Sequence, residues 1–159
     1  MDTNPFWTYS LSAYGIDRVR EIVLHWQDDY GGDVNILLCC CWLASKQQRL
    51  DEDQLSLLLK AGAQWRAQCL LPLRSVRRFV CERPNTDLLY QQLKDAEMSA
   101  EQWHQQCLFD CIEGFEHSPA SGIEGAGIDN LQNYCQFLSG VEWSDLSEDA
   151  TELLGALKL

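Results

Sequence analysis

The chain predicts an all-α fold: a single domain over residues 1–159, built as a bundle of six to eight helices around a central apolar helix near residues 33–46. Three observations carry this. Apolar residues recur at spacings of three and four along most of the chain, the period of a helix face, and strand signals do not recur. The segment "DVNILLCCCWLA" (33–44) is apolar nearly all round, as suits a helix enclosed by others. And 159 residues are enough to bury a core in one domain without disulfide or metal staples.

Asn4 can cap a short aromatic helix in which Pro5 occupies a first-turn position and Gly15 closes the end. Asp17 can cap a second, with Val19, Ile22, Val23, Trp26 and Tyr30 inward, stopped by Gly31 and Gly32. Asp33 can cap the central helix. Asp51 can open a fourth, with Leu55, Leu58, Leu59, Gly62 and Cys69 inward, running to Pro72. That proline can start a fifth, "PLRSVRRFVCER", ending before Pro84, with Leu73, Val76 and Val80 marking its packing face.

From Thr86 to about Phe115 a long pattern follows, with Leu89, Leu93, Ala96, Ala100, Trp103, Cys107, Cys111 and Gly114 as its seam. If unbroken it measures about 40 Å at about 1.5 Å per residue. Ser99 with Gln102 could form a capping box and break it near Met98. "EHSPASGIEGAGIDN" (116–130) reads as a loop. Two short helices should close the chain, one with Leu131, Tyr134, Cys135 and Leu138 ended by Gly140, the other begun by Ser147 with Leu153, Leu154 and Leu157 inward.

Net charge is −12, and its distribution is uneven: residues 1–83 carry 10 Lys/Arg against 10 Asp/Glu, residues 84–159 carry 2 against 14. The acidic half disfavours DNA and general nucleic-acid binding. No apolar run approaches a membrane span, and "MDTNPFWTYS" lacks the basic start and apolar region of an export signal. A soluble cytoplasmic protein is expected, with its eight cysteines as thiols.

Chemistry-bearing motifs are scarce. Neighbouring residues of a helix point about 100° apart, so Cys39, Cys40 and Cys41 read as core rather than as a metal or redox centre. His104, Cys107 and Cys111 share one helix face by spacing, with His117, Cys69 or Cys81 as a possible fourth ligand, but two of the three fall in the apolar seam. No metal and no cofactor is assigned. No nucleophile, phosphate-loop or zinc-protease motif is present, so a non-enzymatic role is preferred.

The most distinctive polar feature is the set Arg74, Arg77 and Arg78, at helical spacings of three and four. Three guanidiniums so placed suit carboxylates or phosphates. Two readings stand open: internal pairing with the acidic half, or a patch that docks an acidic partner or an RNA phosphate. Gln27, Asp28, Asp33 and Asn35 complete a possible polar surface, with helix capping as the plainer role for the aspartates.

"FWTYSLSAYG" (6–15), "LHWQDDYGGDVNILL" (24–38), the tryptophan of "CCCWLA" and "PLRSVRRF" (72–79) together resemble an uncharacterised proteobacterial family of conserved hypothetical proteins of about 160 residues, a domain of unknown function. The resemblance covers roughly residues 5–83. It implies a bacterial cytoplasmic setting and a protein partner, with a translation-associated ATPase or a ribosome component as candidates, but no activity. The expected function is a non-enzymatic adaptor docking an acidic partner through the arginine-bearing helix. The alternatives are a small helical enzyme acting on an anionic substrate, with the arginines as clamp and Asp28 or Asp33 as acid/base or metal ligand, and sequence-tolerant RNA or ribosome contact.

Overall fold

A computed structural model describes residues 4–116, 118–119 and 123–159. Among them lie eight α-helical segments: α1 Pro5–Tyr14, α2 Asp17–Tyr30, α3 Val34–Ser45, α4 Glu52–Trp65, α5 Leu71–Cys81, α6 Asp87–Ile112, α7 Ile123–Cys135 and α8 Trp143–Ala156. Two two-residue strands, β1 Gln48–Arg49 and β2 Ser118–Pro119, pair antiparallel as a clip between distant turns. No helix is long and apolar enough to cross a membrane among these residues.

The central helix is α3. Every residue from Val34 to Ala44 is buried, and α1, α2, α6 and α7 all pack against it. The three consecutive cysteines are fully buried, and burial pushes their thiols up, Cys41 to about 12. They act as small apolar residues in a core that also encloses Phe6, Trp26 and Tyr134.

Local signals fix most ends. The Asn4 side chain accepts from the Trp7 N–H, Asp33 from Asn35, and Asp51 with Gln54 forms a capping box. Gly31, at φ +71°, ends α2 in the left-handed conformation that favours glycine.

Elsewhere tertiary packing overrides the local reading. Asp17 is the first residue of α2 and Ile16 its cap, without a side-chain hydrogen bond. Pro72 stands in the first turn of α5, as expected, but no break separates α5 from what precedes it. The path is helical from residue 52 to residue 81, because the wider π turn Arg66–Leu70 just before the proline accommodates its ring and its missing N–H. On α5, Val76 is 47 % exposed and does not pack, unlike buried Val80.

α6 is unbroken. The Ser99 hydroxyl donates back to the Asp95 carbonyl instead of capping a new helix. Its inward stripe is Glu97, Ala100, His104, Gln105, Leu108 and Ile112, so Leu89 and Trp103 of the apolar seam lie on the surface. Buried ion pairs and hydrogen bonds hold those polar residues inside.

Part of the expected loop is helical, since α7 begins at Ile123; its residues 117 and 120–122 lie outside the described residues. Gly127 permits this helix to approach α8, because a Cβ there would come within 2.6 Å of Leu154 Cδ2. α8 starts at Trp143, four residues before Ser147, behind a reciprocal Glu142–Asp145 cap.

Candidate functional site

α5 packs along α6, which sets the arginines against two carboxylates one helical turn apart. Arg74 Nε donates to Glu97 at 3.1 Å, Nη2 to Glu101 at 2.7 Å and Nη1 to the Gln27 side-chain Oε1 at 3.0 Å. Arg77 donates to both oxygens of Glu97, through Nε and through Nη2 at 3.3 Å. Burial pulls the Arg74 guanidinium down in pKa, but Glu101 and Glu97 more than offset it and hold it above its usual range. The Glu97 bonds likewise raise Arg77. Burial holds the Glu101 carboxyl above the ordinary carboxylate range, against the pull of Arg74.

Arg78 is the outer member. Its side chain is 64 % exposed and its only carboxylate among the described residues is Asp28, at 3.8 Å and itself exposed. Such a pair contributes little.

These groups surround a cleft of about 330 Å³ between α1 and α2 on one side and α5 and α6 on the other. Arg74, Arg77, Arg78, Gln27, Asp28 and Asn35, all singled out in the sequence, meet there. Trp7, Leu11, Leu24, Val34, Leu38 and Met98 supply apolar walls. Lys94 stands at the α6 side, over the Tyr90 ring at 5.5 Å. With Arg74 and Arg77 matched by Glu97 and Glu101, the open cations of the cleft are Arg78 and Lys94. Two wall oxygens, Ser10 Oγ and Gln105 Oε1, are buried with no hydrogen-bond partner among the described residues.

Asp33 is not part of this cleft. It caps α3 and reaches Arg66 Nε at 2.9 Å on the far side of that helix. Asn35 is buried between: Gln105 donates to its Oδ1 at 2.7 Å, and its Nδ2 lies 3.0 Å from His104 Nδ1. No group of three or more His, Cys, Asp or Glu among the described residues is placed to hold a metal ion; His117 is not among them.

Sequence reasoning missed Glu97, Glu101 and Gln105. Their spacing of four was the available signal, a polar stripe one residue out of phase with the apolar seam, facing the arginines of the preceding helix.

A family model described as protein of unknown function (DUF2390) matches residues 5–108. No curated protein and no solved structure matches the chain.

Proposed function

Since the chain belongs to that family, with every residue lining the cleft inside the matched segment, we propose that it is a non-enzymatic binding protein that docks an acidic, amphipathic segment of a partner protein across the α5–α6 lip. The observation that supports this most is the surface beside the cleft mouth. Met98 is 51 % and Leu11 49 % exposed on opposite sides of that mouth, Met98 one helical turn from Lys94, whereas exposed Val76 and Phe79 lie on other faces of α5 than its cleft-facing arginines. Exposed apolar side chains beside open cations suit a segment that brings apolar anchors and carboxylates together.

On this reading the apolar anchor enters between Leu38, Trp7 and Met98, while acidic residues meet Arg78 and Lys94. Arg74 and Arg77 shape the wall and leave contact to their neighbours. A bacterial cytoplasmic setting belongs to the same proposal, with a translation-associated ATPase or a ribosome component as the first partners to try.

The test is affinity capture from the native bacterium with wild type and with Arg78→Glu/Met98→Asp. Both changes fall on exposed positions, so circular dichroism should show both proteins folded. A partner recovered by wild type and lost from the variant supports the reading; equal recovery, or a partner whose contacts lie away from α5, refutes it.

A second reading, a small helical enzyme acting on an anionic substrate, draws on Glu101, whose raised carboxyl lines the same concave cleft as Asp28. Saturable turnover of a small anion, abolished in Glu101→Gln, would replace the docking proposal.

A further inference from the structure

A second cavity, of about 320 Å³, lies on the far side of α3 from the cleft. It sits where the π turn brings Arg66 against Asp33, with His104 from α6 and Tyr134 from α7 in the same wall. Its remaining surface is mainly aliphatic and aromatic, with Ile36 and Leu58 beneath and Phe137 at one side. None of these polar groups takes part in the docking site.

Each presents a donor whose partner is not supplied by the fold. Arg66 uses Nε on Asp33, and neither Nη has a hydrogen-bond partner among the described residues. The Tyr134 oxygen accepts the Asp33 backbone N–H at 2.7 Å, which leaves its own proton to give. His104 Nδ1 faces the amide nitrogen of Asn35, so Nδ1 accepts and the imidazole carries its proton on Nε2. That nitrogen lies beside Gly62 in the cavity wall, where a Cβ would come within 2.1 Å of it. Glycine at this position is what admits the imidazole to the cavity wall.

Three donors from three elements, one of them a guanidinium with both outer nitrogens open, favour a planar anion that can take two parallel N–H bonds. The mostly apolar lining favours a ligand whose other end is hydrocarbon. Asp33 does not cancel the guanidinium's reach: its two oxygens are engaged by the Asn35 N–H and by Arg66 Nε. A π turn gives α4 an extra residue just where Arg66 must be aimed, and such turns frequently mark functional sites.

We propose that this cavity binds a small organic carboxylate with an apolar tail, its carboxylate held by the Arg66 Nη groups with the Tyr134 hydroxyl and His104 Nε2–H, and its tail against Ile36, Leu58 and Phe137. The site is separate from the docking cleft and does not depend on it.

The experiment is a titration of the ¹⁵N-labelled protein with benzoate and with hexanoate, followed by amide shifts, with inorganic phosphate as a parallel arm. Wild type should saturate with a carboxylate, with shifts concentrated at residues 31–36, 58–67, 104 and 134–138. Arg66→Gln should lose at least tenfold in affinity. Ala63→Phe, at an exposed position that lines the cavity mouth, should lose as much without touching a charged group, which keeps the test decisive if Arg66→Gln fails to fold. Arg78→Glu should bind as wild type does. No saturable shift with either carboxylate, shifts confined to the cleft residues, preference for phosphate, or a folded Ala63→Phe that binds normally would each overturn the proposal.

Discussion

Glu97→Ala separates the structural arginines from the open one. The Glu97 side chain is 11 % exposed and lies against Arg74, 12 % exposed, and Arg77, 25 % exposed. Removing one partner of a buried ion pair costs about 3–5 kcal/mol, because the other charge is left without compensation. Here Arg74 keeps Glu101 and Gln27, and Arg77 can turn toward water, so about 2–3 kcal/mol is expected. For a domain of this size that lowers Tm by roughly 4–12 °C. Urea unfolding followed by far-UV circular dichroism reads the loss as a lower midpoint at unchanged slope. Glu101→Ala, which removes a 28 % exposed carboxylate bound among the described residues to Arg74 alone, should cost about 1–2 kcal/mol. Asp28→Ala should stay within about 0.5 kcal/mol of wild type. If Glu97→Ala is no more destabilising than Asp28→Ala, the arginines are not held as described and the assignment of Arg78 as the open cation fails with them.

Gly62→Ala should destabilise by about 1–3 kcal/mol in the same assay, since the new methyl meets a buried imidazole that Asn35 holds in place; a neutral outcome would mean that His104 is free to move. Burial holds the His104 pKa below its usual value, so the unfolded chain takes up a proton that the fold resists. Stability is therefore complete above the unfolded value of about 6.5 and falls as pH drops below it toward the folded one. Urea midpoints at pH 7.5 and pH 5 should differ more for wild type than for His104→Gln. With a thiol reagent, exposed Cys81 should react first, Cys69, Cys107 and Cys111 more slowly, and Cys39, Cys40, Cys41 and Cys135 only on unfolding; early modification within the 39–41 run would contradict its burial.

The fold class was legible because its signals are local and redundant. Asn4, Gly31, Asp33 and Asp51 mark helix ends by backbone chemistry that does not depend on neighbours, and the apolar run 34–44 has few environments other than a core. What was illegible depends on partners distant in sequence. The face of α6 turned inward is set by Arg74 and Arg77, which neutralise Glu97 and make a buried carboxylate tolerable. Without that pairing a reader of the sequence assigns Leu89 and Trp103 to the core. The run through Pro72 depends likewise on a π turn that no residue pattern announces. Gly125 and Gly127 read as loop punctuation, although Gly127 serves close helix packing against Leu154.

The candidate site was half legible. Arg74, Arg77 and Arg78 stood out as a cluster, and Gln27, Asp28 and Asn35 join them in one cleft. Spacing alone could not sort the structural arginines from the open one, because exposure is decided by α6. Asp33, grouped with them by proximity in sequence, faces the opposite side of α3, where it meets Arg66.

The central claim, that a partner segment lies across the lip formed by α5 and α6, is tested most directly by photo-crosslinking in the native bacterium. A photoreactive residue is placed at Leu11, at Met98 and, on the exposed far side of α8, at Thr151. One and the same partner peptide, rich in Asp or Glu, crosslinked from positions 11 and 98 but not from 151, is the predicted result. Adducts from 151 alone, or different proteins from 11 and 98, would contradict the account.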